Sequence, residues 1–222
     1  MKRSEADEHR AEILTLVRSF ISCATSEFAQ LVDSPAARWS IAVEHATSRG
    51  IVEVAPEDIT GFFFITAHFA NDSVAGQLSF GDREFDVNMI IGPVDGGSRY
   101  ALWEWADALD QPDLVPRDTA FVNTVSRLAG IVAAMAGAVR ILQSPIATAP
   151  PDVIERIENA RAAAHERFQR QLASDNHRHA SAAAAQAFRA GDYARAILLL
   201  EPIEASLTPA ERGQLAYARK HA

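Results

Sequence analysis

The chain has 222 residues, 48% of them hydrophobic, and a formal charge of −8. That is enough apolar material for one large domain or a domain with an appendage, and acidic enough to repel nucleic acid and anionic membrane surfaces while attracting basic partners. The charge is uneven: up to Asp118 nine Lys/Arg face twenty Asp/Glu, or −11, and from Thr119 twelve face nine, or +3.

The single cysteine, Cys23, excludes an intrachain disulfide and points to a reducing compartment. It sits beside Phe20 in a helical pattern, as a buried thiol would. Met1–Arg10 is charged and no apolar run with a cleavage site follows, so a cytoplasmic protein without an export leader is expected.

In chain order, Glu5–Val32 predicts a long amphipathic helix, with Ile13, Leu16, Val17, Phe20, Ile21, Ala24, Phe28 and Leu31 at three- and four-residue spacing. Ser34-Pro35 reads as the start of a second helix carrying Trp39, Ala42, Val43 and Ala46 and stopping at Gly50. Ile51–Val54 reads as a short strand, and Gly61–Phe69 as a strand apolar on both sides.

Ser73–Ile91 reads as a β-hairpin turning at Gly81-Asp82. A two-residue type II′ loop there would pair Phe80 with Arg83, Leu78 with Phe85, Gly76 with Val87 and Val74 with Met89. Large apolar side chains then share one face, and Gln77, Ser79, Glu84, Asp86 and Asn88 the other. Arg99–Asp110 predicts a helix with Leu102, Trp105, Ala106 and Leu109 inward. Asp118 or Thr119 would cap a long helix reaching Gln143. The uncharged centre of that helix, Leu128–Val139, is too short for a bilayer, which needs about 20 residues.

Pro145–Pro151 reads as a linker, with three prolines in seven residues. It divides the chain into an acidic α+β domain over 1–144 and a helical segment over 152–222. In that segment a charged helix breaks at Asp175–His179, a helix follows to Ala190, then a turn at Gly191-Asp192-Tyr193, then a helix through Ile197 and Leu200. A last helix opens at Thr208-Pro209 with a Thr208/Glu211 capping box.

Within this segment, Ala187-Phe188 precede Gly191-Asp192-Tyr193, Ala196-Ile197 follow, and Leu207 and Pro209 open the next helix. Ala183–Ala218 thereby resembles a tetratricopeptide repeat, over roughly a sixth of the chain. The resemblance implies a helical-hairpin scaffold of the kind that binds peptides or proteins. It departs from the family in being a lone copy: Ile157, thirty-four residues before Gly191, has no matching turn. A single hairpin must pack on other helices or on a second chain to bury its faces.

No constellation compels a catalytic reading. Gly92–Ser98 has the glycine spacing of a phosphate loop but places Ser98 where the lysine belongs, and Asp95 would repel phosphate. His68 with Ser79, or the Glu84/Asp86 carboxylate pair, would serve a small α+β hydrolase, but no Gly-x-Ser-x-Gly elbow accompanies them. His177 and His179, with His165 and Asp175 near, are poorly spaced as helical metal ligands.

The expected fold is α+β, an antiparallel meander packed against helices and followed by the helical segment. The expected function is a cofactor-free, metal-free protein-binding module. Its partner-binding residues would be Glu84, Asp86, Asp82 and Gln77, with Trp103 as an anchor turned about 200° from Trp105. A bacterial immunity-type inhibitor that caps a basic protein fits the size and charge. The alternatives are the hydrolase and a homodimeric assembly protein built on the lone repeat and the small-residue helix.

Overall fold

The computed structural model describes residues 5–29, 31, 38–47, 50–55, 63–81 and 85–222. The elements in order are α1 (Glu5–Ala29), β1 (Arg38–Thr47), β2 (Gly50–Glu53), β3 (Phe63–Ala70), β4 (Val74–Gly81), β5 (Asp86–Pro93), β6 (Tyr100–Ala101), α2 (Leu102–Ala108), α3 (Val125–Thr148), α4 (Pro151–Arg189), α5 (Tyr193–Leu200) and α6 (Pro209–His221). The fold is α+β, as expected. The strands form one sheet in the order β2-β1-β3-β4-β5-β6, antiparallel at every junction. Two compact units result, Met1–Ile157 and Glu158–Ala222.

In the first unit, strand alternation puts one apolar row after another on a single face. Phe63, Ile65, Ala67 and Phe69 of β3 are buried, as are Val74, Leu78 and Phe80 of β4 and Val87, Met89 and Ile91 of β5. α1 closes this face: Phe20 stacks on Phe80 with centroids 5.3 Å apart, and Phe28 lies 5.1 Å from Phe69. Leu16, Val17, Phe20, Ala24 and Phe28 are buried, the three- and four-residue spacing realised. Cys23 packs half-buried at this boundary; burial first and the Glu27 charge second push its thiol up, away from the reactive thiolate. α3 packs beside α1 and over β5. Its length and composition would suffice to cross a membrane, and here Leu128, Val132, Met135, Val139, Leu142 and Ile146 are buried in the core.

Five local expectations are corrected. The second helix is a strand: β1 runs through Trp39, Ile41 and Val43, opposite Phe69, Ala67 and Ile65. Its apolar residues fit both periods over so short a stretch, and pairing along the full length of β3 decides for the strand. The expected start of that helix at Ser34-Pro35 lies outside the described residues.

The hairpin keeps its faces but not its register. Phe80 pairs with Val87, Leu78 with Met89, Gly76 with Ile91 and Val74 with Pro93, each partner four residues further along than expected. An even shift preserves which side chains share a face, so the apolar pattern alone could not distinguish the two. Gly81 ends β4 rather than forming the turn. It sits at φ +131°, where a Cβ would lie 2.3 Å from the Phe63 carbonyl oxygen, so strand pairing occupies the residue assigned to the loop.

The long helix starts at Thr124, whose hydroxyl accepts from the Arg127 N–H at 3.3 Å. Of the two residues expected to cap it, Thr119 serves the sheet, its carbonyl accepting the Val87 N–H at 3.1 Å, and Asp118 pairs with Arg127; nearby, Val122 N–H donates to the Phe85 carbonyl, also at 3.1 Å. The Pro145–Pro151 linker is largely helix. Pro145 lies in the last turn of α3, Ala149 ends it in the left-handed region at φ +41°, and the Pro150 carbonyl accepts the first N–H groups of α4. Finally, α4 runs through Asp175–His179 unbroken. Glycine and proline are absent between Pro151 and Gly191, and Asp175 is satisfied along the helix by Gln171 at 3.1 Å and Arg178 at 3.5 Å.

In the second unit, the last part of α4, α5 and α6 pack around Ala184, Leu200, Leu207 and Leu215 on one side and Ala187, Ala196 and Ala218 on the other. Gly191 turns at φ +76°, and Asp192 caps α5 by accepting from the Arg195 N–H at 3.1 Å. The Thr208/Glu211 capping box forms as expected.

Two glycines separate the backbone requirement from mere small size. Gly81→Ala is expected to lose about 2–3 kcal/mol, since positive φ and the Phe63 carbonyl both oppose a Cβ. Gly137→Ala in α3, where a Cβ meets nothing within 4 Å, is expected to gain about 0.5–1 kcal/mol of helix propensity. Urea unfolding of the two variants against the parent measures both.

Candidate functional site

The sheet has a second face, and two of the five predicted site residues, Gln77 and Asp86, lie on it. Gln77 stands between His68 and Ile90, Ser79 between Thr66 and Asn88, and Asp86 opposite Gly81 at the end of the hairpin. Asn88 Nδ2 donates to Asp86 Oδ2 at 2.7 Å, and Ser79 Oγ donates to the Asn88 carbonyl at 3.3 Å. Asp86 Oδ1 is buried without a hydrogen-bond partner among the described residues. Asp82 and Glu84, the other two acidic site residues, lie outside the described residues.

Of this polar row only Asn88 borders a cleft beside β5. Val87, Met89, Leu102, Val115 and Met135, all buried, form its apolar floor. Asn88, Trp103, Pro116, Arg117 and Thr119 form its rim around a volume of about 230 Å³. The two tryptophans of α2 divide as their two-residue spacing requires. Trp105 is fully buried, edge-on to Tyr100 at 5.7 Å, and its Nε1 donates to the Ile91 carbonyl at 3.0 Å. Trp103 is 45% exposed. The Arg117 guanidinium sits 5.4 Å from the Trp103 ring centroid while pairing with the Asp107 carboxylate, which presents the indole in one orientation. Beyond Thr119, Phe121 is 66% exposed at φ +55°, a backbone conformation unusual for a bulky residue.

The acidity of the front half is smaller in the folded unit than in the sequence. Asp107 pairs with Arg117, Asp118 with Arg127 at 2.7 Å, Asp110 with Arg156 at 3.1 Å and Glu27 with Arg140 at 3.5 Å. Three of those arginines come from beyond Thr119. The pairs are largely exposed, so they set local charge more than stability. The first unit still carries −10 and the second +2.

The His68/Ser79 form of the hydrolase constellation is not joined, and Glu84 of its other form, the Glu84/Asp86 pair, lies outside the described residues. His68 faces Ser40 and Gln77, not Ser79, and the Ser79 hydroxyl is directed to a main-chain carbonyl. The Gly92–Ser98 loop links antiparallel β5 to β6. A Cβ at Gly92 would lie 2.6 Å from the Ser98 carbonyl oxygen, so that glycine serves a tight chain reversal. No group of three metal-ligating side chains occurs among the described residues.

The histidine junction belongs to the second unit's packing. His177 Nδ1 lies 3.1 Å from Ser206 Oγ and its Nε2 lies 3.4 Å from Glu211 Oε1. Ser181 donates to the same Glu211 oxygen, and the Thr208 N–H and hydroxyl donate to Glu211 Oε2 at 2.7 and 2.8 Å. These donors, Ser181 first, hold the Glu211 carboxyl down at about 2.

Trp103 thus lies on the rim of the cleft, while Gln77 and Asp86 stand on the open sheet face, opposite Ile90 and Gly81 respectively, outside the cleft lining. Sequence reasoning placed Asn88 on the polar face without a role and missed Arg117 and Phe121. Arg117 gains its role only because the connector after α2 folds back over it, a contact between residues ten apart with no periodic signal. No protein-family model matches the chain, and no curated protein or solved structure matches it either.

Two expectations follow. Trp103→Ala is expected to cost about 1–2 kcal/mol, as a half-buried ring with one cation–π contact would, whereas Trp105→Ala costs about 3–5 kcal/mol; chemical denaturation distinguishes them. The Glu211 carboxyl lies below its ordinary value near 4.5, so the stability it contributes is complete above that pH and fades as pH falls towards 2. An acid titration of helical circular dichroism is expected to show this loss in the parent and a flatter profile in Glu211→Gln, which starts less stable at neutral pH.

Proposed function

We propose that this chain is a non-enzymatic, cytoplasmic protein-binding module. Its first unit would take an apolar or aromatic side chain of a basic partner into the Trp103 cleft, with Asp86 and Gln77 of the open sheet face as a separate set of polar contacts. The carrying observation is the half-exposed Trp103 on the rim of a small apolar cleft, held by Arg117. Tryptophan and arginine are the residues most enriched among interface hot spots, and such anchors work where a pocket desolvates them. A volume of about 230 Å³ suits one large side chain and falls below the 300–1,000 Å³ typical of small-molecule sites.

The net −10 of this unit supports a basic partner through faster, salt-sensitive encounter. An inhibitor of the immunity type, seated on a basic protein, is the finer form of this reading. The second unit's hairpin, which resembles a tetratricopeptide repeat at Gly191-Asp192-Tyr193 and Ala196, supports the same class.

Affinity capture from lysate at low and moderate salt, with parent, Trp103→Ala and Asp86→Arg as baits, tests the reading. The expected result is a basic protein retained by the parent, reduced at least tenfold by Trp103→Ala and weakened by Asp86→Arg and by salt. Equal recovery on the parent and Trp103→Ala baits would remove the cleft as the site.

A further inference from the structure

Residues 158–174 of α4 are exposed throughout. Within them Phe168 is 62% and Leu172 44% exposed. Side chains four apart share a helix face, and Ala164 extends that face one turn towards the N-terminus. Arg161 lies on it seven residues before Phe168, and Asp175 seven residues after.

The arrangement mirrors itself about Phe168. Four residues to one side is the small Ala164 and to the other the large Leu172; seven to one side is a cation and to the other an anion. We propose that α4 pairs antiparallel with α4 of a second copy of this chain, the twofold axis passing at Phe168.

In that pairing Phe168 meets its own copy, each Leu172 fills the space above the other copy's Ala164, and each Arg161 comes opposite the other copy's Asp175. A parallel pairing in register would set Arg161 against Arg161 and Asp175 against Asp175, which like charge opposes. Asp175 already bonds Gln171 and Arg178 of its own helix. It keeps further acceptor sites for a guanidinium from across the axis. The face spans about 21 Å of helix. That is short for a standard interface of about 1,600 Å², so the dimer is a weak, concentration-dependent one. The inference does not rest on the Trp103 cleft.

Sedimentation equilibrium of the full chain tests it, with helical circular dichroism confirming that each variant is folded. The parent is expected to rise from 24.1 kDa towards twice that mass as concentration increases. Phe168→Glu, which sets two carboxylates against each other on the axis, is expected to stay at the monomer mass. Arg161→Asp or Asp175→Arg alone raises the dissociation constant severalfold, and the two together restore it. A parent that stays monomeric at every concentration, a dimer indifferent to Phe168→Glu, or a double reversal that associates no better than the single ones would each overturn the proposal.

Discussion

The first unit depends on one constraint: the alternating apolar rows of β3, β4 and β5, Phe63 to Phe69, Val74 to Phe80 and Val87 to Ile91, must fall on the face that α1 and α3 cover. Phe80 shows it best. Its ring stacks on Phe20 of α1 and meets Phe63 edge-on at 6.0 Å and Phe85 at 6.3 Å, so helix, strand and hairpin loop converge on one side chain. A buried aromatic cluster of this kind contributes through area and ring geometry together. It also fixes what remains for function. With one face committed to the core, the opposite face and the sheet's edges remain to meet a partner, and apart from Phe64 and Ile90 the described residues of β3, β4 and β5 on that face are short or polar.

That division was legible in the sequence because it rests on the period of two. Val74, Leu78, Phe80 on one arm and Val87, Met89, Ile91 on the other announce the buried face whatever the register, and the burial follows them. The register was not legible, because a four-residue shift leaves the pattern unchanged; what selected it was Gly81 pairing with both Phe64 and Asp86. β1 was misread for a related reason. Trp39, Ala42, Val43 and Ala46 satisfy a helical spacing, and only the presence of β3 alongside shows that Trp39, Ile41 and Val43 are the set that counts. Local pattern carries faces; long-range pairing carries register and, in short segments, element type.

The candidate site divides in the same way. Trp103 follows from sequence, since two helical steps from a core tryptophan must point elsewhere. Its surroundings do not. Arg117 reaches the indole because Val115 anchors the connector in the core and Asp107 draws the guanidinium across. Charge behaves similarly: Arg127, Arg140 and Arg156, which lie in the basic half of the sequence, fold onto Asp118, Glu27 and Asp110. Charge summed along a sequence describes a field at a distance, and its local texture depends on which arginines the fold returns to which acids.

The second unit answers a different physical problem, that of a hairpin with little to bury. Its two clusters hold four and three fully buried residues, and alanine supplies four of the seven. Small side chains let helices approach closely but remove little apolar area from water. The unit therefore relies on its ends: the Asp192 cap, the Thr208/Glu211 box, and Arg219, which binds Glu204 through both guanidinium nitrogens and reaches Glu201 at 3.0 Å. Exposed ion pairs of this sort add little individually, and their value here is positional, fixing α6 against the turn that follows α5. Glu211 is the exception, since donors from α4 and from Thr208 at the start of α6 converge on one carboxylate. A repeat array would replace such polar fastening with neighbouring repeats, and a lone hairpin has to concentrate it at the few residues where its helices meet.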